Sequence, residues 1–214
     1  ALEKLNIQLQ RHVRAATLDA AEKYLLATAF VFFAYRMINN YVETGSPVTL
    51  IYALDQLVVL VFVLLRRAPK ELSLRIDDWI FGFAGTFFAI MIVPPSGAAL
   101  VPPIVVHGVL LVGFAIHVLA KLALRRSFGV VAANRGVKTT GLYRFVRHPM
   151  YLGYVLSQIG ILLAGPTLIN ILIIGLCWFL FVKRIAAEER LLLNDEMYQV
   201  FATRTRYRVI PGIY

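Results

Sequence analysis

Six apolar runs recur along this chain, at roughly 24–41, 48–65, 79–93, 103–124, 151–164 and 167–182. A helix needs about 20 predominantly apolar residues to cross ~30 Å of hydrocarbon. Within that hydrocarbon its backbone N–H and C=O groups must be satisfied internally. Runs of this kind, repeated this often, predict an all-α polytopic membrane protein with about six transmembrane helices. The third, fifth and sixth runs are short. The last two are separated only by Gly165-Pro166, so they form a hairpin that either spans fully or reaches partway.

Composition agrees. Of the 214 residues, 59% are hydrophobic and 16% charged, and a soluble domain of this size could not hide so much apolar surface. The length suits one membrane domain, residues 1–214. Its parts are an N-terminal interfacial segment (1–23), the first four spans (24–124) and a polar region with the hairpin (125–214). Segment 1–23 mixes Leu2, Leu5, Leu9 and Val13 with Glu3, Lys4, Arg11 and Arg14. That amphipathic pattern lacks the apolar core of a secretory signal and suits the membrane surface.

The basic residues set an orientation. Lys and Arg gather in the N-terminal segment, in the 66–78 and 125–150 loops and in the tail, and are missing from 42–47, 94–102 and 165–166. Cytoplasmic loops carry the excess of Lys and Arg, so six crossings with both termini cytoplasmic are expected. The net charge of +10 therefore lies at membrane edges, where it attracts anionic lipid. Membrane lipids, not nucleic acid, are the expected partners. Pro94-Pro95-Ser96-Gly97 and Pro102-Pro103 bracket an outer loop and stop helix propagation. The oligomeric state leaves no mark on the sequence.

Some chemistry is excluded. There is no G-x-G-x-x-G turn, P-loop or His-Glu-x-x-His. Cys177 is the single cysteine, which rules out an intrachain disulfide or a Cys-rich metal site. His107 and His117 are ten residues apart and do not share a helix face, so no metal is expected. His117, Lys121 and Arg125 do share one, either lining a polar site or snorkelling to headgroups. Arg36 and Asp55 fall at similar depths in the first two runs, and an ion pair across that hairpin is expected.

The polar residues concentrate in Gly141-Leu-Tyr-Arg-Phe-Val-Arg-His-Pro-Met-Tyr-Leu-Gly153, then Glu188-Glu189, then Tyr207-Arg-Val-Ile-Pro-Gly-Ile-Tyr214. Such clusters beside spans are costly and usually functional. With the lead-ins Arg126-Ser-Phe-Gly129 and Val137-Lys-Thr-Thr-Gly141, this pattern resembles the membrane-embedded isoprenylcysteine carboxyl methyltransferases and their phospholipid and phenolic-lipid methyltransferase relatives, over roughly 105–214. The resemblance implies an integral membrane methyltransferase that holds S-adenosylmethionine in a cytosolic loop and the C-terminal tail. Its acceptor would be lipid-like or a small amphipathic molecule bearing a carboxyl, amine or phenol. A prenylated peptide is not implied.

Such a cofactor asks for a base for its carboxylate, an acid for its ammonium or ribose, and aromatic faces for adenine and sulfonium. The candidate cofactor residues are Tyr143, Arg144, His148, Pro149, Tyr151, Leu152, Glu188, Glu189 and Tyr207, with Tyr198 and Phe201 as further aromatic walls. The candidate catalytic residues are Arg147, His148, Glu189 and Arg204: Arg147 or Arg204 to orient an acceptor carboxylate, His148 or a glutamate to take a proton. Headgroup anchoring by Arg144 and Arg147, and an interfacial belt of tyrosines, are the competing readings. An NADPH-dependent membrane sterol-type reductase, or a non-catalytic scaffold or transporter, is the alternative function.

Overall fold

The computed structural model describes residues 2–45, 47–93 and 98–214, with side chains from Val13 onward except residues 44, 47–49, 51 and 52. The Pro94–Gly97 turn lies outside the described residues. Among the described residues there are seven α-helices: α1 (Leu2–Thr44), α2 (Pro47–Leu64), α3 (Ile76–Phe87), α4 (Pro103–Leu124), α5 (Pro149–Ala164), α6 (Leu168–Leu192) and α7 (Glu196–Arg204). Two short strands, β1 (Glu71–Leu72) and β2 (Ala133–Asn134), pair antiparallel. The chain divides into two compact units.

The first unit comprises Ala1–Leu74, Arg125–Gly129 and Ala133–Gly136. The break expected near residue 23 does not occur. No Gly or Pro interrupts residues 2–44, so the amphipathic start and the first apolar run form one helix of 43 residues. It ends at Gly45, whose φ of 65° suits the left-handed cap, with the Gly45 N–H donated to the Tyr41 carbonyl at 2.8 Å. Glu22, Leu26, Phe30 and Ala34 make a buried stripe at four-residue spacing, and α2 answers with Asp55, Val59 and Val63.

The expected Arg36–Asp55 pair does not form. Asp55 is buried, whereas Arg36 is exposed on the other side of its helix. The charges that do meet sit at the opposite end of the stripe. Arg66 and Arg135 both reach Asp19 Oδ1, at 2.8 and 2.6 Å, and Glu22 Oε2, at 3.1 and 3.3 Å.

The second unit comprises Arg75–Leu124, Val130–Ala132 and Val137–Tyr214. Its core gathers Tyr151, Ile173, Cys177, Phe181, Ile185 and Val209. Helices α4 and α5 touch backbone to backbone: a Cβ added at Gly153 would lie 2.5 Å from His117 N and 2.7 Å from the Gly113 carbonyl. Asn170, fully buried, both donates to and accepts from the Val93 backbone, at 3.0 and 3.1 Å.

Among the described residues, two segments are long and apolar enough to cross a membrane, Pro103–Ser127 and Leu168–Leu192, and Ala53–Leu64 and Pro149–Ala164 are shorter apolar helices. The last apolar run fades near residue 182, but α6 continues ten residues further. That extension carries both glutamates.

Candidate active site

Three pieces of chain converge: residues 141–153, the end of α6, and the tail after α7. Pro149 occupies the first position of α5, where its missing N–H leaves no bond unmade. Just before it the backbone pairs with the tail. Arg147 N–H donates to the Tyr207 carbonyl at 2.9 Å and His148 N–H to the Arg208 carbonyl at 2.8 Å. This fixes where the Arg147 and His148 side chains start.

Glu188 and Glu189 are adjacent on α6 and point about 100° apart, yet both reach His148. His148 Nδ1 lies 3.5 Å from Glu188 Oε2, and Nε2 lies 3.3 Å from Glu189 Oε1. Glu188 also accepts from the Tyr151 hydroxyl at 2.5 Å and faces Arg184 at 3.8 Å. Glu189 accepts from Arg147 Nη1 at 3.0 Å, the Tyr198 hydroxyl at 3.4 Å and Arg208 Nε at 2.7 Å. Glu189 is buried at 4% side-chain exposure, and Glu188 is open at 23%.

Burial is the largest influence on His148 and opposes its charged form. Hydrogen bonds to Glu188 and Glu189 outweigh it, so its pKa lies above the ordinary imidazole value. The hydrogen bond to Glu189 likewise raises the Arg208 pKa.

The structure divides the candidate residues. His148, Pro149, Tyr151, Glu188 and Glu189 meet at one spot. Leu152 packs against the core beneath it. Arg147 is committed to the chain itself: besides Glu189, its Nε donates to the Thr205 carbonyl at 2.7 Å and its Nη2 to the Ala202 and Arg206 carbonyls at 3.1 and 3.2 Å. Tyr143 is buried with Tyr198 and Phe201. Arg144 is exposed, stacked on the Phe145 ring at 4.6 Å. Arg204 is exposed, and Tyr207 half-buried.

Two residues join that the sequence reading did not select as site residues. Arg208 holds Glu189 while 43% of its side chain stays exposed. Arg184 donates to the Thr86 hydroxyl at 2.9 Å and the Val130 carbonyl at 3.2 Å, and stands over the Tyr151 ring at 5.4 Å. Arg184 was legible as the residue one helical turn before Glu188; Arg208 had only its place in the basic tail as a signal.

Residues 104–194 match the model of the isoprenylcysteine carboxyl methyltransferase family. That stretch, somewhat under half of the chain, is what is similar to the family. The fold of the chain is similar to that of the eukaryotic intramembrane Ras methyltransferase, an isoprenylcysteine carboxyl methyltransferase solved without a monobody. The two share 18% sequence identity at a TM-score of 0.50, over 93% of this chain and 77% of that one. No curated protein matches. The family match takes in residues from Tyr143 to Glu189, while Arg204, Tyr207 and Arg208 lie beyond it.

Proposed function

We propose that the chain methylates a lipid-like or small amphipathic acceptor, using S-adenosylmethionine, at the cytosolic membrane face. The observation that carries this reading is His148 held between Glu188 and Glu189 beside the tail. The donor set fits the cofactor. Glu188 is an acid with access to solvent, suited to an ammonium or ribose hydroxyls. Arg144 is an exposed base suited to a carboxylate. Tyr151 and Tyr207 offer aromatic faces. When bound, S-adenosylmethionine supplies an electrophilic methyl carbon for in-line displacement.

The chain's own residues then position and shield. His148 faces a carboxylate at each ring nitrogen, so it holds its proton and makes a poor base. For an amine or phenol acceptor, Glu188 is the group placed to take the proton; a carboxylate acceptor needs none. Arg147 spends its donors on the tail and so positions rather than binds. Arg208, half-exposed beside Glu189, is the basic group left to meet an acceptor carboxylate. The distribution of Lys and Arg supports a multi-pass arrangement with both termini and both basic loops in the cytosol.

Calorimetry with purified protein tests the reading. S-adenosylhomocysteine should bind and NADPH should not. His148→Ala should weaken S-adenosylhomocysteine binding by roughly tenfold or more, as loss of a charge-assisted contact predicts. Binding of NADPH in place of S-adenosylhomocysteine would overturn the function. Normal binding by both His148→Ala and Glu188→Ala would overturn the site.

A further inference from the structure

Helix α7 divides its circumference three ways. At about 100° per residue, Tyr198, Phe201 and Ala202 share one sector. They pack with Tyr143 against Ala123 and Leu124 of α4 and Leu192 of α6. Glu196, Gln199 and Thr203 share a second, polar and exposed. Met197, Val200 and Arg204 share a third, where Met197 is 65% and Val200 53% exposed. A helix bounded only by protein and water needs two faces. The separate apolar strip calls for a third environment.

Position and charge say which. The inner face of α7 rests on the last turns of α4 and α6, the two helices able to cross a membrane. The helix therefore lies level with the ends of those spans. Exposed Arg204 lies in the same sector, exposed Arg206 follows two residues beyond the helix end, and the one acid of α7, Glu196, falls in the polar sector. Apolar side chains bordered by arginine match the boundary between acyl chains and anionic headgroups.

We propose that α7 is an interfacial helix: Met197 and Val200 seat in the bilayer, and anionic lipid headgroups pair with Arg204 and Arg206. The consequence reaches the site. Arg147 binds the carbonyls of Ala202, Thr205 and Arg206, so seating α7 holds the acceptors that aim Arg147 at Glu189. Anionic lipid then tightens cofactor binding, a consequence that rests on the methyltransferase reading above.

The full chain, in a Cys177→Ala background, carries an environment-sensitive fluorophore at Met197→Cys, at Val200→Cys or at Thr203→Cys. It is placed in nanodiscs of phosphatidylcholine with or without phosphatidylglycerol. Probes at 197 and 200 should shift to the blue and be quenched by spin-labelled lipid in the anionic discs. The probe at 203 should stay water-like in both. Arg204→Glu with Arg206→Glu should erase the lipid preference, which two basic residues at an anionic surface set at roughly tenfold or more. Probes at 197 and 200 as wet as that at 203 would overturn the interfacial seat. Equal seating in both discs would overturn the pairing with anionic headgroups. S-adenosylhomocysteine affinity that ignores lipid charge, with the probes seated, would overturn the link to the site. Absence of that binding in either disc leaves the fluorescence outcomes standing and sinks the methyltransferase reading instead.

Discussion

Glu189 accepts from Arg147, His148, Tyr198 and Arg208 in a setting almost closed to water. Removing its charge leaves the His148 imidazolium with Glu188 alone and the Arg147 guanidinium with backbone carbonyls alone, a loss of about 3 kcal/mol. Glu189→Gln should therefore lower the thermal midpoint of the detergent-solubilised protein sharply. Adding His148→Gln should restore part of the loss, since one of the under-compensated charges goes with it. His148 also sets a pH dependence. Its folded pKa lies above the unfolded value of about 6.5. The stabilisation it contributes is thus complete below that value and fades as pH rises through the folded pKa. Thermal midpoints measured across that range should fall with rising pH in the parent and flatten in His148→Gln.

Helices meet here through small residues and through shared charges, and each junction has its own test. Gly153 lets α5 approach the α4 backbone, so Gly153→Ala puts a methyl group into His117 N and the Gly113 carbonyl. Overpacking against backbone costs about 1–3 kcal/mol. Gly175 of α6 meets nothing within 4 Å, so Gly175→Ala should be neutral or raise the thermal midpoint, since alanine favours a helix by about 1 kcal/mol. Equal destabilisation by the two would contradict the close crossing. In the first unit, burial and then Arg135 draw the Arg66 pKa down, against Glu22 and Asp19. Arg135→Met leaves Asp19 and Glu22 sharing one buried guanidinium and should destabilise by about 3–5 kcal/mol. Arg135→Met with Glu22→Leu should do less harm than Arg135→Met alone.

At the scale of the whole molecule, the alternation of basic and uncharged turns makes a topological prediction. Lys70→Cys and Thr139→Cys, both exposed positions, should label from the cytosolic side alone in a Cys177→Ala background. Labelling of either from outside intact cells would end the proposed orientation. The apolar spans and the resemblance to the methyltransferase family were legible because hydropathy and the Arg147-His148-Pro149 motif are properties of consecutive residues. Glu188 and Glu189 were legible as a pair. That both would grip His148, and that Glu189 would be the more enclosed, was not: this depends on where α6 passes the start of α5.

The N-terminal helix and Arg147 show where the two kinds of information part. The sequence by itself determined that no Gly or Pro falls in residues 2–44, that apolar runs must shield their own backbone, and that polar residues cluster beside them. Those are consequences of local sterics and of solvent, which each residue meets with only its neighbours. Only the tertiary structure decided which charges pair. Arg36 and Asp55 matched in depth but not in direction, whereas Asp19, Glu22, Arg66 and Arg135 met across more than a hundred residues. It also turned Arg147 from a substrate ligand into the anchor of the tail, because the carbonyls it binds lie 55 to 59 residues away. A guanidinium goes to the acceptors that folding brings within about 3 Å, and that distance is set by the packing of helices rather than by any spacing along the chain.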